Sequence, residues 1–178
     1  MKVFMLAASM MTLIAAGPVP DAAALHAGLA GRWTGSLGYR DYQTDKMSEI
    51  AVKTEIRALP DGVTVLRISE FDDGPRVGAV FITTASLHDS KAGTVSSATL
   101  RKGNSVEIET ETLAVTAYVD AAHWTIVAEA DGSDDDKPAR LRVTEVRDGL
   151  LLTATKDVQP KGTATWAFRN RTLLRKAE

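Results

Sequence analysis

Cysteine is absent from all 178 residues. That excludes disulfides, a thiolate nucleophile, an iron–sulfur cluster, a cysteine zinc site and lipid attachment through a cysteine. Charge of one sign is also lacking: 21 Lys and Arg stand against 23 Asp and Glu, for a net charge of -2. The chain therefore carries no electrostatic footprint for nucleic acid or for an anionic membrane surface. Arg169, Arg171, Arg175 and Lys176 form one basic cluster, read as the solvated face of a final strand. Apolar runs are short, and none reaches the roughly 20 residues that a spanning helix needs. Histidines number only 3, and none has a metal-like neighbour two or four positions away.

What is present begins with an address. Lys2 precedes the apolar run Val3 to Gly17, and Pro18 and Pro20 end it. Such a run is the core of a secretory signal peptide, which sets the expected division at residues 1–24 for the signal and 25–178 for one folded domain. Ala22-Ala23-Ala24 supplies the small-x-small cleavage site, with Ala16 or Gly17 as an earlier alternative. A periplasmic or secreted location follows, with no membrane span left after removal of the signal.

From Trp33 onward the pattern alternates with the period of half-buried strands. Ile50, Val52, Thr54 and Ile56 occupy one phase, and Glu49, Lys53, Glu55 and Arg57 the other. Turn signals separate the runs: Pro60-Asp61-Gly62, Asp72 to Pro75, Lys102-Gly103-Asn104, residues 131–138, Asp148-Gly149 and Pro160-Lys161-Gly162. In "SVEIETETLAVTAYV" the apolar phase slips by one near Thr112, which predicts a bulge, a bend or two joined strands there. Trp166, Phe168 and Asn170 are expected to share one face of the last strand. No connection has room for a crossover helix. The pattern predicts an all-β, antiparallel, up-and-down barrel of about 8–10 strands with a short N-terminal helix, because closure removes sticky edges.

The stretch "LHAGLAGRWTGSLGYRDY" carries a family resemblance. Its Gly31-Arg32-Trp33, within a Leu-x-Gly-x-Trp-x-Gly pattern ahead of a meander, resembles the opening of the lipocalins and the wider calycin group. The Phe-Arg-Asn of the last strand resembles the bacterial lipocalin-like domains. The resemblance implies that Gly31 gives a tight turn into the first strand and that Trp33 plugs the base of the barrel. It also implies an arginine packed across that ring and bonded to the closing helix; of Arg169 and Arg171, Arg171 is preferred. No Thr-Asp-Tyr loop stands where lipocalins often carry one, since Thr44-Asp45-Lys46 falls elsewhere.

The resemblance implies a small apolar or amphipathic ligand inside the barrel. Tyr39, Thr54, Tyr118 and Asn170, with Thr110, are the polar candidates for a mostly apolar pocket. His26, His88 and His123 are read as turn or surface histidines. In the related nitrobindins one histidine holds haem, and His123 is the position comparable in principle; no cofactor and no metal are expected. No Gly-x-Ser-x-Gly or other catalytic constellation is found, so catalytic residues are expected to be none and an enzyme is disfavoured. The other reading is a solid-core cell-envelope interaction module, motivated by the two-sided apolar run "VGAVFITT" with Val80 and Ile82. The expected solution state is a monomer or weak oligomer.

Overall fold

The computed structural model describes residues 19–40 and 46–178. The signal segment up to Gly17 lies outside the described residues, as do Thr44 and Asp45. A short helix α1 (Ala22–Ala27) leads into ten strands: β1 (Gly31–Arg40), β2 (Met47–Ala58), β3 (Thr64–Asp72), β4 (Ala79–Asp89) and β5 (Thr94–Arg101), then β6 (Glu107–Asp120), β7 (His123–Asp134), β8 (Lys137–Asp148), β9 (Leu151–Pro160) and β10 (Ala167–Lys176). Every neighbouring pair is antiparallel, and β1 joins β10 to close the barrel. A four-residue helix α2 (Gly74–Val77) replaces the simple turn expected at Asp72 to Pro75; Pro75 in its first turn suits the helical φ.

Two ends can be told apart. At one, α1 lies under the β2–β3, β4–β5, β6–β7 and β8–β9 turns. Asp21 caps α1, its Oδ1 accepting from the Ala24 N–H at 2.8 Å, and its Oδ2 accepts from Ser90 at 2.7 Å. The buried cluster sits above the helix: Leu25, Leu29, Trp33, Val52, Ile56 and Val65, with Trp124, Ile126, Leu152 and Leu174 from the later strands. Trp33 is fully buried, and its indole N–H donates to the Leu29 carbonyl at 2.8 Å. Gly31 enters β1 at φ 132, a conformation that side chains resist. A Cβ at Gly35 would lie 1.9 Å from the Leu173 carbonyl oxygen, so the close approach of β1 to β10 requires glycine there.

The opposite end is open, and along the strands two local expectations are corrected. The register of β6 runs unbroken from Glu107 through Val115, and the irregularities fall beyond it, at Thr116 and Val119. The phase does not slip at Thr112: Glu109 and Glu111 point inward with Leu113 and Val115, and Ile108, 76% exposed, points out. In β10 the register shifts between Phe168 and Asn170, so Phe168 turns outward while Asn170 faces in. The acidic stretch at 131–138 is a hairpin as expected, but its turn is only two residues long, with Asp135 at φ 52 and Asp136 at φ 59 between paired strands.

Candidate functional site

The site is a strut across the lumen. Arg67 projects inward from β3 and Glu145 from β8, strands that stand five places apart in either direction around the ten-stranded ring. Nη1 of Arg67 donates to Oε1 of Glu145 at 2.8 Å. The other carboxylate oxygen lies 3.1 Å from Nε2 of His26, which α1 lifts into the barrel floor. Nδ1 of His26 is in turn 2.8 Å from Nε2 of His88 on β4, and Nδ1 of His88 is 3.1 Å from the Val63 carbonyl.

The proton positions follow from that sequence of contacts. A carbonyl accepts, so Nδ1 of His88 carries its proton and Nε2 takes one from His26. The second nitrogen of His26 faces the Glu145 carboxylate. Burial, and then the neighbouring His26, hold the His88 pKa below the ordinary value, which keeps its ring neutral. Burial alone would raise the Glu145 pKa, yet Arg67 and His26 overcome it and hold the carboxyl far below the usual range. The pair is therefore charged, and both charges sit deep inside the barrel.

The strut divides the interior into two cavities. The first, about 200 Å³, is lined by β2, β3, β4, β9 and β10; its walls are Val52, Phe71, Ile82, Leu152 and Leu174, with the hydroxyls of Thr54, Ser69, Thr84 and Thr172. The second, about 180 Å³, lies towards β4 to β8 and takes in His26, His88, Ser86, Ser97, Glu111 and Glu145 against Val65, Val95, Leu113 and Ile126. Arg67 and Thr84 belong to both. Burial and then the charge of Glu109 raise the Glu111 pKa. An engineered apolar cavity of about 150 Å³ admits a benzene ring, so each chamber has room for an organic group of that size.

The anticipated residues fall in several places. Thr54 lines the first chamber and shares a hydrogen bond of 2.9 Å with Ser69. Tyr39 and Asn170 are register partners between β1 and β10 on the inward face near the open end, and line neither chamber. Tyr118 packs against the buried cluster at the closed end. Thr110 faces outward and bonds Ser96 at 3.0 Å. Ile82 lines the first chamber, and Val80 shares its inward phase and is half-buried; of that run, Val77 and Phe81 are the exposed large apolar residues.

The arginine expected over Trp33 is corrected. Arg171 lies opposite Gly38, five residues along β10 from the register partner of Trp33. That partner is Lys176, whose Nζ stands 5.6 Å from the indole centroid. Hydrogen bonding to the closing segment falls to a third residue, Arg147, whose Nη1 donates to the Gly28 carbonyl at 3.1 Å. One role of a single arginine is thus shared between two cations on different strands.

The histidines are corrected too. His26 and His88 belong to the interior cluster, and His88 is only 5% exposed. His123 stands at the outer rim of the closed end, Nδ1 at 2.8 Å from Asp120 and Nε2 at 3.5 Å from Asp148. His123 lines neither chamber, and both of its nitrogens face carboxylates at the exposed rim. The hydroxyls of the second chamber bond one another, Ser86 to Ser97 at 2.9 Å, rather than a histidine, so no nucleophile and base are paired there. Among the described residues no cluster of three or more His, Asp or Glu is arranged to hold a metal.

Arg67, Glu145, His88 and Glu111 escaped sequence reasoning, although a signal existed. Each lies in phase with the apolar residues of its own strand: Arg67 with Val65 and Phe71, Glu145 with Leu141 and Val143, His88 with Ile82, Glu111 with Leu113 and Val115. A charge in the dry phase of a strand demands a partner. One arginine and one glutamate so placed on different strands were the readable hint.

No protein-family model matches the chain, and no curated protein matches it. Among solved structures it is similar to the crystal structure of Rv2717c from M. tuberculosis, with 18% sequence identity and a TM-score of 0.59 over 89% of this chain and 100% of that one. At that identity the likeness concerns the fold alone, which in this chain is a closed antiparallel barrel.

Proposed function

We propose that this chain is an exported, lipocalin-like carrier that holds a small amphipathic molecule in its lumen. The observation that carries the reading is the pair of cavities on either side of the Arg67–Glu145 strut, each walled by apolar side chains on one part and hydroxyls or charges on another. Eight-stranded barrels can be filled by side chains; ten strands leave a wider interior, and here a single ion pair spans it. A wall of this mixed kind suits a ligand with an apolar body and a polar group, not a purely apolar one. Export rests on the Val3 to Gly17 run. The cap that Asp21 gives α1, together with the burial of Ala23 and Leu25, supports cleavage at Ala16 or Gly17 rather than after Ala24. Cutting after Ala24 would remove that cap and the bond to Ser90.

Native mass spectrometry of the full chain, purified from the envelope of its own host, tests the reading. The expected result is a processed chain that retains Asp21 and carries an additional small mass, lost on denaturation. An unprocessed chain in the cytosol, or a processed chain bearing only its own mass after purification without detergent, overturns it.

A further inference from the structure

We infer that the lumen selects a compact organic anion, such as a carboxylate on a ring or short chain, with its charged group seated on Arg67 in the first chamber. The inference rests on the lumen-binding reading above and assigns its ligand class. Arg67 is set deep in the barrel, yet 34% of its side-chain surface is accessible, and it lines both cavities. Among the described residues, Glu145 is the one hydrogen-bond acceptor for its five N–H groups, through Nη1. Its other N–H groups have no partner among the described residues, and the accessible part of the side chain leaves them open to a ligand in the chamber.

The two chambers differ in charge, and the difference decides which side an anion takes. The second contains Glu111 and Glu145, whose carboxylates repel a third. Among the described residues the first contains no acid, and Arg67 is the charged residue there, beside the hydroxyls of Thr54, Ser69, Thr84 and Thr172. Thr54 and Ser69 bond each other, which leaves one of their two oxygens with a proton to give. Val52, Phe71, Ile82, Leu152 and Leu174 line the rest of the chamber and give apolar contact to the body of the ligand. Glu145, itself paired with His26, fixes the guanidinium in place before any ligand arrives, which lowers the ordering cost of binding. A volume near 200 Å³ limits the guest to about the size of a substituted ring.

Benzoate and benzamide share a shape and differ in charge, so calorimetric titration of both at pH 7 tests the assignment. Benzoate is expected to bind at least tenfold more tightly, the ratio that charge-assisted hydrogen bonds supply. The double variant Arg67→Met/Glu145→Gln removes both charges together, which avoids stranding either one. It is expected to bind the two probes equally, with benzamide affinity kept. Ala154→Leu, which fills the first chamber, is expected to abolish benzoate binding. Equal binding of both probes by the native protein overturns the anion assignment and leaves the lumen reading standing. A benzoate preference that survives the double variant, or full benzoate affinity in Ala154→Leu, overturns the location. If neither probe binds the native chain, the lumen reading falls together with the inference.

Discussion

The closed and open halves of this barrel solve the inside–outside problem in opposite ways. At the closed half, the inward phase is apolar and dry: Trp33, Ile56, Trp124, Ile126 and Leu152 are each 2% exposed or less. Beyond it the inward phase is mixed: polar with Arg67, Thr84, Ser86, Ser97 and Glu111, and apolar again near the open rim with Ala139, Leu141 and Val158, while Phe81, Leu100 and Ile108 face out at 57%, 46% and 76% exposure. A strand of the same period crosses both halves without a break. Alternation alone therefore locates two faces of a strand, and the surroundings decide which of them is dry.

The contrast can be broken most forcefully at Trp33. Trp33→Ala is expected to cost about 4 kcal/mol, measured by urea unfolding, because a large buried ring leaves a cavity under α1. Phe168→Ala, at the open end and 40% exposed, is expected to cost under about 1 kcal/mol. Equal losses at the two positions would erase the distinction between the halves.

The strut joins the halves, so cutting it measures how far each depends on the other. Glu145→Gln alone is expected to cost about 3 kcal/mol, since Arg67 and His26 lose their shared counter-charge in a buried setting. Adding Arg67→Met is expected to restore part of that stability, a coupling that a double-mutant cycle reads directly.

A third test uses pH. His88 holds its proton less tightly folded than unfolded, so below the ordinary histidine value near 6.5 the unfolded chain gains protons that the native ring refuses. Stability contributed by His88 is complete above that value and falls as pH drops through it, by up to about 1.4 kcal/mol per pH unit. Glu145 adds a second decline, starting as pH falls below its ordinary value of 4.5, because its native carboxyl resists protonation. In denaturant melts between pH 7.5 and 5, as conditions of measurement, His88→Gln is expected to flatten the first decline only. An unchanged slope in that variant would show that the ring plays no such part.

Smaller effects sharpen the closed end. Asp21→Ala is expected to cost about 1 kcal/mol through loss of the α1 cap. Lys176→Met is expected to cost about 0.5 kcal/mol through the indole contact, and Arg171→Met less than that. A larger loss at Arg171 than at Lys176 would return the ring-covering role to the arginine.

Much of the fold was legible because its causes are local. The turns announce themselves by residue type, and Gly31, Trp33 and Gly35 mark a strand opening that needs one positive φ, one buried ring and one close approach. The candidate site was not legible to the same degree. Thr54 was found because it shares a phase with Val52 and Ile56, but the same habit of equating apolar with inward sent Ile108 to the wrong face and hid Glu111 behind it. His26 and His88 looked like surface residues because helix and turn composition alone carries no sign of what lies above them.

The sequence by itself settled an all-β antiparallel meander, since strand period and turn chemistry act over a few residues at a time. Only the tertiary structure decided that Arg67 and Glu145, 78 residues apart, meet across the lumen. Closing ten strands into a ring sets β3 opposite β8, and no local rule of pairing or propensity contains that distance.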